Sequence, residues 1–309
     1  MRDLLKKFLP FATLIALFVG LTIASPYFLS VGNLSAVIRQ TTVITIMAIG
    51  MTVVIASGGI DLSVGSMVGL TGVCGTMLIA AHYSTAVALL GAMLIGALCG
   101  ALNGAAVVFL RIPPFIATLG TLGAYRGVTL LITSGMPIAN LTHDFGVLAN
   151  GDVFQIPVPL LFLVAVGVVV HLMLKLTKLG RYAYAIGSNV EAARCSGIRI
   201  GLYTGLIYAL SGALAGMSGM IEAARLVTGQ PTAGDGYELR VIAAVVIGGG
   251  SLNGGQGTVI GTVIGSMIMG LLSNGCNLLG ISPFLQQVII GAVIILAVSF
   301  DEFQRRRTA

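Results

Sequence analysis

The chain has 309 residues, 57% hydrophobic and only 8% charged, with a mean hydropathy of +1.04. A soluble domain carries about 25% charged residues to wet its surface, so this composition excludes a soluble enzyme, a secreted disulfide scaffold and a nucleic-acid binder. The net charge of +6 is then read by where its cations sit along a membrane protein.

Asp, Glu, Lys and Arg are missing from Phe8–Ile38, Leu62–Leu110, Val153–Leu174, Ile200–Ile221 and Val241–Phe300. About 20 apolar residues cross a bilayer. The sequence therefore predicts an all-α, polytopic membrane helical bundle: one transmembrane domain over residues 1–309 with about ten spans. Gly, Pro and polar clusters place these at 9–29, 35–57, 64–81, 86–110, 115–134, 156–176, 201–222, 239–250, 257–277 and 284–300. The first run follows Arg2, Lys6 and Lys7. It is longer than the apolar region of a signal peptide, and Ile23-Ala24-Ser25 is a poor cleavage site. With the N-terminus inside, 12 of the 16 Lys and Arg fall on the cytoplasmic side, and the outer segment 133–155 has Asp144 and Asp152 but no Lys or Arg. That asymmetry puts both termini in the cytoplasm.

After the second span comes Gly58-Gly59-Ile60-Asp61-Leu62-Ser63-Val64-Gly65. Asp61 is a carboxylate set between two apolar spans, a functional candidate by default. Its neighbours Ser57, Gly58 and Ser63 favour a tight turn with donors around the carboxylate over a direct part in transport. In the fifth span Arg126 must face the bundle interior, a pore or a carboxylate, or else snorkel to the outer interface. Glycines number 43, about twice the usual share. They recur four apart at Gly65/Gly69, Gly100/Gly104, Gly123/Gly127, Gly212/Gly216 and Gly261/Gly265, a spacing that lets membrane helices approach closely.

Between spans six and seven, Ser188-x-x-Glu191 reads as a capping box, Ala192 and Ala193 favour helix, and Gly197 stands where it would end. A helix of about two turns is too short to be stable alone in water, so it must rest on its own bundle or on a cytoplasmic partner. At the outer end of span seven Glu222 and Arg225 are placed to pair.

The eighth span, 239–250, is too short to cross. It must begin before Val241, tilt, or be a half-helix broken at Gly248-Gly249-Gly250. The segment Gly248-Gly249-Gly250-Ser251-Leu252-Asn253-Gly254-Gly255 matches Gly58–Gly65 at four of eight positions. That is a possible pseudo-repeat around 35–110 and 230–277, of the kind that flanks a transport pathway. After Gly255 stand Gln256 and Gly257 rather than the Lys and Ser/Thr of a phosphate-binding loop, so no ATP site is expected here. Cys74, Cys99, Cys195 and Cys276 form no C-x-x-C pair, and His82, His143 and His171 lie far apart. Neither a metal nor a cofactor is expected.

On these residues the chain resembles the permease subunits of bacterial ATP-binding-cassette importers for simple sugars, most closely the ribose type. The specific blocks are Gly58–Ser66, Leu179-Gly180-Arg181-Tyr182, Glu191-Ala192-Ala193-Arg194 with Gly197-Ile198, Gln230-Pro231-Thr232-Ala233-Gly234-x-Gly236-Tyr237-Glu238-Leu239, and Asn274-Gly275-Cys276-Asn277-Leu278-Leu279-Gly280. The resemblance implies a multi-pass protein of the bacterial inner membrane, without catalysis of its own, that pairs with a second copy to form the sugar path. It implies a cytoplasmic ATPase subunit gripping the loop of Arg181, Ser188, Glu191, Ala192, Ala193, Arg194 and Gly197, and a periplasmic sugar-binding protein delivering substrate near Glu222, Arg225, Asp235 and Glu238. Path or gating candidates are Gly58, Gly59, Asp61, Ser63, Gly65, Arg126, Gly248, Gly249, Ser251 and Asn253. Membrane lipid is the remaining partner, and no nucleic acid is expected. Arg39, near the start of span two, departs from the neutral polar residue expected there. Still open are a related importer for autoinducer-like or furanose substrates, an ion-coupled transporter using Asp61, and an intramembrane enzyme, the last lacking a Ser–His or metal constellation.

Overall fold

The computed structural model describes residues 2–139, 141 and 143–306. The described chain is all-helical but for one short hairpin. In order, the elements are α1 (Arg2–Ala24), α2 (Val31–Ala56), α3 (Val64–Ala80), α4 (Thr85–Phe109), α5 (Pro114–Thr133), α6 (His143–Asn150), β1 (Asp152–Val153), β2 (Ile156–Pro157), α7 (Val158–Leu176), α8 (Lys178–Ser188), α9 (Val190–Cys195), α10 (Ile200–Leu226), α11 (Tyr237–Ile247), α12 (Val259–Leu278) and α13 (Pro283–Arg306). Six of them, α2, α4, α5, α7, α10 and α12, are long and apolar enough to cross a membrane. Leu9–Ala24 of α1, α3, and Pro283–Leu296 of α13 are shorter apolar helices.

Local chemistry sets most boundaries. The side chains of Ser30, Ser84 and Thr258 accept from the amides of Asn33, Val87 and Gly261, capping α2, α4 and α12. Proline sits in the first turn of α5 and α7, where its missing N–H would have no helical partner anyway. The first helix stops at Ala24, five residues short of the expected 29. Pro26 explains this, because a proline drives the residue before it out of the α region.

The bundle is built around α2 and α10. From Thr41 to Ala56 every residue of α2 except Ile44 is buried, as a helix without a polar face must be. Against it, α10 meets α4 backbone to backbone. A Cβ at Gly96 would collide with the carbonyl of Gly212, one at Gly100 with that of Tyr208, and one at Gly104 would lie 2.8 Å from the Cα of Gly205. Gly265 and Gly261 bring α12 onto Ala244 of α11 and onto Gly248 just past its end in the same way. Gly123 and Gly127, spaced identically on α5, differ: a Cβ at either would meet nothing within 4 Å.

The segment expected on the outer side forms α6 and the β1–β2 hairpin, with Phe145 fully buried. Arg39 holds this cap down. Its guanidinium donates to the carbonyls of Ala149 (2.6 Å) and Gly151 (3.2 Å) and pairs with Asp152 at 2.7 Å. The unexpected arginine of α2 thus bonds to the cap.

Candidate translocation path and coupling surface

Where the fold leaves regular helix inside the bundle is the first clue to a site. Between α10 and α11 the chain runs from Val227 to Gly236 without helix. Gly229 bridges to Ile138 near the α6 end and packs on Thr76. The segment then descends along α3. A Cβ at Gly69 would lie about 3 Å from the carbonyls of Pro231 and Ala233, and one at Gly65 would collide with Gly234 and the Glu238 carboxylate. At 1.5 Å per residue, Gly69 is about 16 Å and Gly65 about 22 Å from the Ala80 end of α3. So α11, of 11 residues, starts alongside the far end of α3, beginning before Val241 and ending ahead of Gly248-Gly249-Gly250. The irregular stretch lies on its N-terminal side, and a second break follows it.

Arg126 fixes this re-entrant segment. It sits about 18 Å along α5 from Pro114 and its Nη1 donates to the carbonyls of Pro231 (2.5 Å) and Ala233 (2.9 Å). The guanidinium faces the interior rather than snorkelling outward. Asp235 is exposed on the open side of the segment and Glu238 is half-buried beside Gly65. Both were expected to face a receptor; the segment 227–236 brings Gly234 and Glu238 against Gly65, near the start of α3.

Nearer the opposite end, Asp61 is fully buried in the turn before α3. Its Oδ1 accepts from the Ser63 amide (3.0 Å), the Ser63 hydroxyl (2.6 Å) and the Asn103 amide group (3.2 Å). Asn103 also donates to the Ser63 hydroxyl at 2.7 Å, and Tyr125 donates to Asn103 Oδ1 at 3.2 Å. The hydroxyls of Tyr208 and Thr118 donate to the Ile60 carbonyl at 3.3 and 3.2 Å. This network closes the turn over the α4, α5 and α10 helices. Asn103, Tyr125 and Tyr208 were missed from sequence, although a lone Asn in the apolar run Leu62–Leu110 was a readable signal.

The remaining path or gating candidates lie at the α8 end. Gly58 (φ +80°) and Gly249 (φ +88°) end α2 and α11 in the same left-handed geometry. In each, the amides of the glycine and of its successor reach back to the preceding turn: Gly58 to Ile55, Gly59 to Val54, Gly249 to Val246 and Gly250 to Val245. The two Gly-rich segments thus correspond one residue out of register from their sequence match. Between them passes the C-terminus of α8. A Cβ at Gly187 would collide with the Ala56 carbonyl and lie 2.6 Å from the Gly255 amide, which donates to Ala56 O at 2.9 Å. Tyr184 donates to the Gly257 carbonyl at 2.7 Å, and burial pushes its phenol up from the usual range. Ser251 is half-buried in the adjoining loop and Asn253 is exposed.

Beyond this joint stands α9. Its N-cap is Asn189, whose Oδ1 accepts from Ala192 N at 3.0 Å. The Ser188–Glu191 capping box does not form, because α8 runs through Ser188 and hands the cap to the next residue. Glu191 instead pairs with Arg194 at 2.7 Å, both exposed. Gly197 (φ +79°) ends the helix, its amide reaching Arg194 and that of Ile198 reaching Ala193. Only Ala193 of α9 is buried. Arg181, on the first turn of α8, is exposed. A cavity of about 930 Å³ opens between α9 and the Ser57–Gly59 turn, bordered by Arg111, Arg194, Thr204 and Tyr208.

At the other end, Glu222 is 4% exposed. Arg225 grips both its oxygens, at 3.0 and 2.7 Å, and Tyr237 donates to it at 3.0 Å. This triad ties α10 to the first turn of α11, a bracing geometry that leaves the carboxylate little surface for a partner.

Residues 33–298 match the family described as branched-chain amino acid transport system / permease component. The chain is 44% identical to the ribose import permease protein of Escherichia coli (strain K12) over 296 residues, which is 94% of this chain and 92% of that one. It is 42% identical to the ribose import permease protein of Bacillus subtilis (strain 168), covering 96% and 93% of the two chains. The D-allose transport system permease protein of Escherichia coli (strain K12) is 35% identical over 97% of this chain and 91% of its own. No solved structure matches the chain.

Proposed function

The chain belongs to the branched-chain amino acid transport system / permease component family, and from that membership we propose a role down to the level of its elements. It is the membrane permease subunit of an ATP-binding-cassette sugar importer in the bacterial inner membrane, and its substrate is a ribose-like monosaccharide. Ten helices cross, namely α1 to α5, α7 and α10 to α13, with α11 completed by the re-entrant segment. Both termini and the α8–α9 pair lie in the cytoplasm, as the basic residues favour.

The mechanism follows from what α9 touches. Exposed on nearly every residue, α9 docks into a separate ATPase subunit, which hydrolyses the ATP. A second copy of this chain pairs with the first so that the open faces of the two α5 helices, around Gly123 and Gly127, border the path between them. When ATP closes the ATPase dimer, the two α9 helices are drawn together. The backbone joint at Gly187 then moves the ends of α2 and α11 with α8. Helices locked glycine to glycine, such as α4 and α10, shift as rigid pairs, and the path opens alternately to each side. A periplasmic binding protein presents the sugar at the α6 end.

The observation that carries this reading is the 44% identity to a ribose import permease over nearly the whole chain. Its test is Glu191→Arg in the complete importer reconstituted in vesicles. The Glu191–Arg194 pair is exposed and worth about 1 kcal/mol or less, so insertion should survive while ATP-driven ribose uptake falls at least tenfold. Uptake at the parental rate would remove α9 from the coupling.

A further inference from the structure

The re-entrant segment 227–236 is irregular backbone inside a bundle that spans lipid. Such backbone is stable at depth only where protein buries it or where it borders a water-filled space. On one side it is buried against Gly65 and Gly69 of α3. On the other it carries Thr232 and Asp235, both exposed. The bordering stretch of α5 is bare: a Cβ at Gly120, Gly123 or Gly127 would meet nothing within 4 Å. A carboxylate cannot stand exposed against hydrocarbon without a heavy penalty, so the space in front of Asp235 holds water.

Three charged groups gather there. Arg126 uses one nitrogen, Nη1, to hold Pro231 and Ala233, and its Nε and Nη2 have no partner among the described residues. That Nη1 lies 2.7 Å from where a Cβ at Gly69 would stand. One helical turn away on α3, a Cβ at Gly65 would meet the Glu238 carboxylate and the carbonyl of Gly234, which precedes Asp235. Among the described residues neither carboxylate forms an ion pair. Two acceptors and a multiple donor around a wet gap suit a neutral polyol, whose hydroxyls both donate and accept. Aromatic stacking is absent from this set, and the chain contains no Trp, so binding would be weak, as transit requires.

We propose that Arg126, Asp235 and Glu238 form the polar waist of the sugar path, with Arg126 holding the re-entrant segment while the two carboxylates take the hydroxyl hydrogens of the passing monosaccharide. The proposal rests on the permease reading above. In the dimer proposed there, a second set faces the first and completes a ring.

The test uses the complete importer, with ATPase and binding protein, in vesicles supplied with ribose and ATP. In the double variant Asp235→Asn, Glu238→Gln, ribose moved per ATP hydrolysed should fall at least tenfold. In a Cys195→Ser background, Asp235→Cys should react with a charged, membrane-impermeant thiol reagent, because such reagents modify only water-exposed thiolates, and ribose under turnover should slow that reaction. A coupling ratio within twofold of the parent overturns the waist, and so does an Asp235→Cys thiol that stays unmodified in every nucleotide state. If the parent importer itself takes up no ribose, the sugar reading fails instead, and the thiol experiment still decides whether Asp235 faces water.

Discussion

Asp61 shows how one buried carboxylate can organise a turn. Its Oδ1 carries three hydrogen bonds from Ser63 and Asn103, while Oδ2 has no partner. Asparagine keeps the accepting oxygen, so Asp61→Asn should fold and retain at least half of ATP-driven uptake. Asp61→Ala strands three buried donors, each costing about 1–3 kcal/mol when unpaired, and should deplete the folded chain in size-exclusion profiles. An Asp61→Asn chain that folds but transports nothing would return the residue to the ion-coupled reading. The turn itself was legible, since Gly58, Ser63 and a carboxylate together specify little else. The Asn103 and Tyr125 contacts were not, because residues 42 and 64 positions away along the chain leave no local mark. Ser188 and Asn189 mark another limit. Both are good caps in succession, and only the length of α8 decides between them.

Among the elements, backbone contact between α4 and α10 is the most demanding feature. Gly100→Ala drives a methyl into the Tyr208 carbonyl, and overpacking of this kind costs about 1–3 kcal/mol. Gly20→Ala on α1 meets nothing within 4 Å and should be silent. Thermal unfolding of the two purified variants checks the contrast, with only the first expected to melt lower. On α9, Gly197→Ala places a side chain at φ +79°, a strain of about 1 kcal/mol. It should weaken co-purification of the ATPase while leaving membrane insertion intact. Helix positions were readable because apolar runs without charges are bounded by Gly, Pro and polar clusters, and most observed helices begin and end within a few residues of the expected spans, six of them long and apolar enough to cross a membrane. The misses share a cause. Elements α6, β1, β2 and α8 are amphipathic or very short, so their stability comes from packing such as Phe145 under the cap and Gly180 against Leu174, which no local pattern reports.

For the molecule as a whole, purified chain alone in vesicles should pass no ribose against a gradient, with or without ATP, and accumulation by the lone subunit would overturn the case for an external motor. The proposed waist and the α8 joint lie toward opposite ends of α11: Glu238 is on its first turn and Gly249 just past its last. A half-length helix tethered at one end through Arg126's hold on Pro231 and Ala233, and at the other by Gly248 against Gly261 of α12, has little freedom to bend. Selection acting on these two ends is therefore separable. At the Arg126 end the exposed side chains of Thr232 and Asp235 can be exchanged singly, whereas where Gly58, Gly187 and Gly254 meet, three main chains touch with no side chain between them, and any replacement must be accommodated by all three at once. A lineage of such proteins should accordingly diversify its cargo quickly while keeping its engine mount frozen.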